Sequence, residues 1–249
     1  MKLSIVLPNR NQSERLFRHM KEELFPYFDN LGFDYECIIV VNNSNEENER
    51  LAEEAKSYLP KNVRFLPFDP TRGKGRAIRR GIEAAEGEYV LFMDADFATD
   101  LHCMDSYWDK LDQQDCIVGS RHMKGSVIVN KAPFIRRVMS WGSKTLIRWT
   151  FHLKVHDTQC GYKLFKTDVA KKMVAKQITS EFAFDLEYLY YLKLNGYKYI
   201  EIPVRWTDDP DSTIKSPIKT AWAFYKDMMK IRRNKKHYKE EKECSSTAA

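Results

Sequence analysis

The sequence predicts an α/β protein whose central sheet is mostly parallel, with helices on both faces. Short apolar runs alternate with segments of helical periodicity, which is the pattern of consecutive βαβ units. The run at 35–41 is apolar apart from Glu36, as expected of a strand buried on both faces. Several runs end abruptly in polar residues, and ligands bind at the carboxyl ends of strands in such sheets.

The individual elements follow from these patterns in chain order. Strands are expected where about four to eight apolar residues run together, and helices where apolar residues recur every three or four positions. The strands are predicted over 3–7, 35–41, 63–66, 90–93, 116–119, 162–165 and 198–202. The helices are predicted over 16–28, 46–59, 73–86, 101–111, 134–151, 167–175, 183–194 and from Pro217 onwards.

No linker divides the chain, so residues 1–216 are predicted to form one domain. Residues 217–236 are predicted to be a basic amphipathic helix, and 237–249 a disordered tail. The segment 134–151 interleaves tryptophans with arginines. It is either a core helix or a helix at a membrane interface, where both residue types suit the headgroup region.

Composition limits the class and the location of the protein. The 249 residues are 43% apolar and carry a formal net charge of +6, which indicates a globular chain. Five cysteines without CxxC spacing favour a reducing compartment over a disulfide framework or a zinc site. No signal peptide or membrane span is recognisable. We therefore expect a cytoplasmic protein, peripheral on the cytosolic face of a membrane, without a nucleic-acid partner.

Two carboxylates follow the fourth predicted strand. Asp94 and Asp96 lie where the chain leaves the sheet after the apolar run 90–93. Two acids this close repel each other unless a cation lies between them. Mg²⁺ and Mn²⁺ take oxygen ligands and commonly bridge carboxylates to phosphates. The pair predicts a metal site for a nucleotide diphosphate, and the alternative is a solvated acidic turn.

A glycine-rich, cationic turn precedes that strand. Arg72-Gly-Lys-Gly-Arg76 opens a predicted helix, where backbone N–H groups and the helix dipole favour anions. The turn is not a P-loop, because the G-x-x-x-x-G-K-[ST] spacing is absent. It is not the G-x-G-x-x-G dinucleotide-binding fingerprint either, because Ile78 stands where the third glycine belongs. Arg121 ends another predicted strand, and its planar fork of donors suits phosphate. Taken alone, the turn would be interpreted as a solvated surface loop.

Together these segments resemble glycosyltransferase family 2, and most closely its branch of dolichyl-phosphate β-glucosyltransferases and dolichyl-phosphate mannose synthases. The matching segments are 73–75, 87–96, 119–121, 157–165, 184–185 and 201–206 with Ser212. The block Asp157-Thr-Gln-Cys-Gly161 is the most specific of them. The resemblance implies a GT-A fold, with a Rossmann-like nucleotide-binding half and an acceptor half. It also implies Mn²⁺ or Mg²⁺ at Asp94 and Asp96, and inversion at the anomeric carbon.

The resemblance implies a role for individual residues as well. Asp96, Asp185 and Arg121 are the expected catalytic residues. The nucleotide sugar is expected to bind Pro8, Asn9, Arg10, Gln12, Asn42, Asn43, Lys74, Asp94, Ala95, Asp96 and Arg205. The acceptor phosphate is expected to bind Ser120, Arg121, Gln159 and Ser212.

Two segments depart from the family pattern. Arg10 and Gln12 replace the usual tyrosine and glutamate after the first strand, and Asn42-Asn-Ser-Asn45 replaces the usual Asp-Asp-Gly-Ser after the second. These positions usually help to hold the nucleobase, and amides can donate as well as accept hydrogen bonds. UDP-glucose is the favoured donor, and GDP-mannose is the second.

The expected acceptor is polyprenyl or dolichyl phosphate. A phosphate monoester is largely ionised near neutral pH and needs no general base. A hydroxyl acceptor on a soluble molecule or a glycan would need one, and Asp185 is then the candidate. A nucleic-acid binder that uses the basic C-terminal helix is a further alternative, but the helical spacing of its aromatic and Met residues is better explained by packing or membrane contact. Another alternative is a non-catalytic homologue that binds sugar nucleotide or lipid. The altered base-site segments permit it, whereas the intact Asp94, Asp96 and Arg121 oppose it.

Overall fold

The structure, a computed structural model, describes residues 2–130, 142, 145–207 and 217–240. The strands are β1 (Lys2–Asn9), β2 (Asp34–Val41), β3 (Val63–Phe65), β4 (Tyr89–Met93), β5 (Cys116–Ser120), β6 (Val127–Ile128), β7 (Tyr162–Lys166), β8 (Tyr199–Pro203) and β9 (Arg205–Trp206). Seven of them form one sheet in the order β3-β2-β1-β4-β7-β5-β8, and β6 pairs with β9. Within the large sheet β7 runs antiparallel to β4 and β5, and the other pairs are parallel. The predicted, mostly parallel sheet is confirmed.

The reversed direction of β7 decides where the functional residues meet. Because β7 is antiparallel to β4, its first residue, Tyr162, pairs with Met93, the last residue of β4. The loop that leads into β7 therefore lies at the edge where β1, β2, β4 and β5 end. At this junction the backbone N–H of Asp94 donates to the carbonyl of Gly161 at 3.1 Å.

Helices cover both faces of the sheet, as predicted. They are α1 (Ser13–His19), α2 (Phe25–Leu31), α3 (Glu46–Ala55), α4 (Lys74–Ala84), α5 (Thr167–Ala175), α6 (Phe184–Asn195) and α7 (Pro217–Arg233). Successive residues of a strand point to opposite faces, so Phe92 and Leu91 of β4 belong to different clusters. One cluster packs under α4, α5, α6 and α7, and the other under α1, α2 and α3.

Two predicted helices differ in form. The predicted helix 16–28 is interrupted by a π-helical turn at Met20–Leu24 that joins α1 to α2. The helix predicted over 101–111 is a pair of 3₁₀ helices, Leu101–Met104 and Trp108–Gln113. Side chains bond to this segment and within it. The Asp100 carboxylate accepts from the His102 N–H at 2.9 Å, and the Tyr27 hydroxyl donates to Asp105 and accepts from the Trp108 indole.

The C-terminal part packs further than expected. Tyr238 is fully buried and donates its hydroxyl to Glu187 at 2.7 Å, and the Glu240 N–H donates to Asn195 at 2.8 Å. Residues 237–240 therefore belong to the packed structure, which corrects the first four residues of the predicted disordered tail. Residues 241–249 lie outside the described residues.

The predicted helix 134–151 is described only in part. Residues 145–151 are helical, and the earlier part lies mostly outside the described residues. Ile147 and Phe151 are buried in the core, whereas the Trp149 side chain is 79% exposed. Among the described helices none has the length and apolar character needed to cross a bilayer.

Candidate active site

Most of the predicted site residues lie along one edge of the sheet. Asn9 and Val41 are register partners at the ends of β1 and β2, and β4 ends beside them at Met93. β5 also ends at this edge, since it is antiparallel to β7, which begins there. The strand order therefore places Asn42, Asp94 and Arg121 along this shared edge, as the parallel arrangement predicts.

Asp94 and Asp96 form the acidic centre of the site. Asp94 is ion-paired with Lys74, which begins α4. Burial and the neighbouring Asp94 carboxylate raise the pKa of Asp96, against the opposing effects of the Ala98 N–H and Lys74. Burial alone would lower the pKa of Lys74, but the carboxylates of Asp94, Asp185 and Asp96 outweigh burial and raise it. The amine therefore stays charged throughout the neutral range.

A second ion pair, which the sequence patterns did not indicate, is buried beside this centre. Lys163 is fully buried in β7, where its amine donates to Asp185 at 2.5 Å and to the Cys160 carbonyl at 2.6 Å. Burial raises the pKa of Asp185, partly offset by Lys163 and Lys74. A lysine in the middle of the apolar strand Tyr-Lys-Leu-Phe was the available signal, because a buried lysine needs a partner.

The glycine turn that carries Lys74 is held by tight backbone contacts. Gly73 has φ +139°, and a Cβ there would lie 2.5 Å from the Ser180 carbonyl oxygen. The Gln177 side chain donates to the Gly75 carbonyl at 3.0 Å. Asn42 is buried and donates to the carbonyls of Gly73 at 3.2 Å and Thr71 at 3.4 Å. The structure thus uses Asn42, predicted to contact the nucleobase, to hold the turn in place.

The other predicted base-site residues cluster at the ends of β1 and β2. Asn9 is buried, with its side chain donating to Ser13 at 2.9 Å and accepting from the Gln12 N–H at 3.3 Å. Arg10 is exposed and donates to the Asn43 carbonyl at 3.4 Å. Pro8 is half-buried at the end of β1. These residues lie together, and Arg10 offers the most accessible polar group among them.

Arg121, one of the predicted phosphate-binding residues, is held by Asp157. The guanidinium donates from Nε at 2.7 Å and from Nη2 at 3.0 Å to the two carboxylate oxygens. Burial alone would raise the pKa of Asp157, but Arg121 outweighs it and holds that pKa well below its usual value. The guanidinium also lies 5.2 Å from the Trp206 ring centre. Two of its five N–H groups bond the Asp157 carboxylate, and the hydrogen bonds among the described residues do not use the other three.

The remaining predicted acceptor residues are spread around Arg121. Ser120 is fully buried, and its carbonyl accepts from the Ser126 hydroxyl at 2.6 Å. Gln159 is exposed, with its N–H donating to Asp157 at 3.1 Å. Arg205, predicted to contact the donor, is exposed in β9. Ser212 lies outside the described residues.

The predicted metal ligands can be tested against the donor set. Asp94 and Asp96 supply carboxylate oxygens close enough to raise the pKa of Asp96. Oxygen ligands suit Mg²⁺ or Mn²⁺, and such ions commonly take one or two protein carboxylates and complete their coordination with substrate phosphates and water. No group of three or more His, Cys, Asp or Glu side chains suited to a metal occurs among the described residues. The two aspartates therefore fit a site in which protein carboxylates supply part of the coordination and substrate phosphates and water supply the rest.

The sequence and the fold were compared with known proteins. The model of glycosyl transferase family 2 matches residues 4–174. A dolichyl-phosphate beta-glucosyltransferase of Dictyostelium discoideum is 31% identical over 245 residues, 92% of this chain and 73% of that protein. The human protein of the same name is 32% identical over 221 residues, 83% of this chain and 67% of that protein.

The fold matches a solved glycosyltransferase as well. Glucosyl-3-phosphoglycerate synthase from Mycobacterium tuberculosis, crystallised with Mn²⁺, uridine diphosphate and phosphoglyceric acid, matches with a TM-score of 0.63. The match covers 94% of this chain and 78% of that one at 15% identity, so it bears on the fold alone. The resemblance found in the sequence is confirmed: the chain has the GT-A fold and belongs to glycosyl transferase family 2.

Proposed function

We propose that the chain transfers a hexose from a nucleotide diphosphate sugar to polyprenyl or dolichyl phosphate, with inversion at the anomeric carbon. UDP-glucose is the first donor to test and GDP-mannose the second. The names of the two curated relatives support glucose and dolichyl phosphate. The cationic and acidic groups gathered at the edge of the sheet support a diphosphate donor.

One observation favours a phosphate acceptor over a hydroxyl acceptor. Asp185, the predicted general base for a hydroxyl, is buried and ion-paired with Lys163. A carboxylate held in this way is poorly placed to take a proton from a bound sugar or glycan. A phosphate acceptor needs no such group, because its attacking oxygen is already ionised.

The proposed reaction is a single displacement. An oxygen of the acceptor phosphate attacks the anomeric carbon, the bond from that carbon to the diphosphate breaks, and the diphosphate leaves with the electron pair. The transition state is oxocarbenium-like, as in glycoside hydrolysis. Lys74 places a positive charge beside the departing diphosphate, and the Arg121 N–H groups that do not bond Asp157 orient the acceptor phosphate. A divalent ion held by Asp94 and Asp96 would add charge neutralisation on the leaving group.

A phosphate acceptor on a long lipid would bring the enzyme to a membrane surface. We propose that the enzyme is peripheral on the cytosolic face of that membrane. The described cysteines Cys37, Cys103, Cys116 and Cys160 are all free thiols. Free thiols are typical of a reducing compartment, which supports this location.

The proposal is tested by donor and acceptor panels. Purified protein is incubated with radiolabelled UDP-glucose or GDP-mannose, dolichyl phosphate, and Mn²⁺ or Mg²⁺, and the label is extracted into organic solvent. We expect lipid-linked glucose that depends on both the acceptor and the metal. Transfer to soluble acceptors in place of dolichyl phosphate, or no turnover with any donor, contradicts the proposal.

A substitution pair tests the metal-binding role. Asp96→Asn removes one proposed ligand, and we expect turnover to fall by roughly 100-fold or more with the fold intact. Asp109→Asn is the matched control, because Asp109 is an exposed aspartate of the 3₁₀ helix Trp108–Gln113. Wild-type turnover in Asp96→Asn would exclude the proposed metal site.

A further inference from the structure

The C-terminal helix α7 has two different faces. Met228 and Ile231 are fully buried against the core, whereas Trp222 is 60% exposed and Tyr225 is 41% exposed. Trp222 and Ile231 are nine positions apart, so at 3.6 residues per turn their side chains point about 180° apart. The exposed stripe also contains Lys226 and Arg233, which follow Trp222 at helical spacing. These four residues are called the outer stripe.

The two aromatic side chains of the outer stripe stack on each other, and a lysine amine lies beside them. The Trp222 and Tyr225 rings are stacked with centres 5.7 Å apart, and the Lys226 amine lies 5.6 Å from the Trp222 ring centre. Exposed tryptophan and tyrosine beside lysine and arginine are typical of helices that lie in a membrane interface.

The charge of the chain is concentrated in the same segment. Residues 217–240 contain eight Lys and Arg against two acids, Asp227 and Glu240, a net charge of +6. This equals the formal net charge of the whole chain, so the remaining residues carry none overall. Both acids are turned towards the protein, because Asp227 is half-buried and Glu240 accepts hydrogen bonds from Tyr191 and Tyr197. The outward charge of the segment is therefore positive.

A second helical segment also buries one side and exposes a tryptophan on the other. Residues 145–151 bury Ile147 and Phe151 in the same core cluster as Met228 and Ile231. The Phe151 ring packs edge-on against Tyr190 of α6 at 4.8 Å. Trp149, two positions from each buried residue, is 79% exposed. Two helical segments thus cover one layer of the core and each exposes a tryptophan on its other side.

We propose that the outer stripe of α7 is a docking surface for an anionic lipid bilayer. The aromatic rings enter the headgroup region, and Lys226 and Arg233 pair with lipid phosphates or carboxylates. The surface is distinct from the sugar-transfer site at the edge of the sheet. Its binding does not depend on the proposed acceptor, so vesicles without dolichyl phosphate can test it.

The test is co-sedimentation of the full chain with vesicles. Phosphatidylcholine vesicles are compared with vesicles that also contain phosphatidylserine, at low and high salt. We expect binding to the anionic vesicles that weakens with salt. Lys226→Glu/Arg233→Glu should weaken it by at least roughly thirtyfold, since each basic group near such a surface contributes about 1 kcal/mol and the new carboxylates add repulsion. Trp222→Ala/Tyr225→Ala should weaken binding by roughly tenfold through lost apolar burial.

Matched variants control for general effects. Tyr58→Ala removes another exposed aromatic ring, and Lys21→Glu/Lys61→Glu reverses two exposed charges elsewhere on the surface. Both should bind like the wild type, and circular dichroism should show that all variants are folded. The proposal is overturned if the outer-stripe variants sediment with vesicles as the wild type does, or if the wild type binds neither vesicle. It is also overturned if the stripe binds RNA or a second copy of the chain in place of vesicles.

Discussion

Gly161 lies so close to Asp94 that a Cβ at position 161 would be 2.0 Å from Asp94 Oδ2 and 2.4 Å from its Cγ. The backbone at Gly161 is not in the left-handed region. The glycine is therefore required by this contact and not by its own conformation. Gly161 directly precedes β7, the strand that runs antiparallel to its neighbours. The entry into β7 therefore limits the space on one side of Asp94.

We expect Gly161→Ala to displace the Asp94 carboxylate and separate it from Lys74. A misplacement of about 1 Å near reacting groups can lower the rate roughly 100-fold. The melting temperature should change little. The measurements are kcat/KM for transfer and the melting temperature. Gly142→Ala is the control, because a Cβ there would meet no atom of a described residue within 4 Å. Near wild-type turnover in Gly161→Ala would show that Asp94 need not hold this position.

Lys163 and Asp185 should be coupled in stability. Lys163→Met or Asp185→Asn leaves the other charge buried without its main partner, which costs about 3–5 kcal/mol of unfolding free energy. The double variant should lose less than the sum of the two single losses. Urea unfolding of the four proteins gives the coupling energy. If the losses add, the pair does not act as a unit.

Asn42 should not tolerate the aspartate that is usual in its family. A carboxylate cannot donate to the carbonyls of Gly73 and Thr71 and would face both acceptors, so Asn42→Asp should cost about 2 kcal/mol of stability. Transfer activity should fall as well, because this turn carries Lys74. Asn43→Asp is the neighbouring control, and its stability should change by less than about 0.5 kcal/mol. Urea unfolding and turnover measure both effects, and equal stability of the two variants would contradict this role of Asn42.

The Asp157–Arg121 pair predicts a pH dependence. The folded-state pKa of Asp157 is held below its usual value of 3.8, so its contribution to stability is present above that value and is lost as pH falls through the lowered pKa. At neutral pH Asp157→Asn should be about 3 kcal/mol less stable than the wild type. The difference should shrink below pH 3.8. Urea unfolding of both proteins from pH 7 down to pH 3 tests this. A difference in unfolding free energy that grows on acidification would contradict the prediction.

Much of the site edge was predictable from local pattern. The apolar runs, the helical periodicity and the polar residues at strand ends give a mostly parallel sheet with Asp94, Asp96 and Lys74 near one edge. These features depend on neighbours in sequence, so single segments carry the information. The match to glycosyl transferase family 2 rests on the same segments.

Other assignments failed because they depend on distant partners. The helix expected over 101–111 is two 3₁₀ helices, and Tyr27, far away in sequence, bonds Asp105 and Trp108 between and within them. The tail expected from 237 packs to 240 because Tyr238 reaches Glu187. The sequence of each segment gives no indication of its distant partner, Tyr27 in the first case and Glu187 in the second.

Local patterns in the sequence were enough to predict the class of fold, the acidic pair at a strand exit and the cationic turn before it. The tertiary structure decided which partners these groups have: Gly161 beside Asp94, Lys163 against Asp185, and Asn42 on the glycine turn. The physical reason is that a buried apolar run does not reveal the direction of its strand. The reversed direction of β7 brings Gly161 and Lys163 to the site, and that direction is set by packing across the whole sheet.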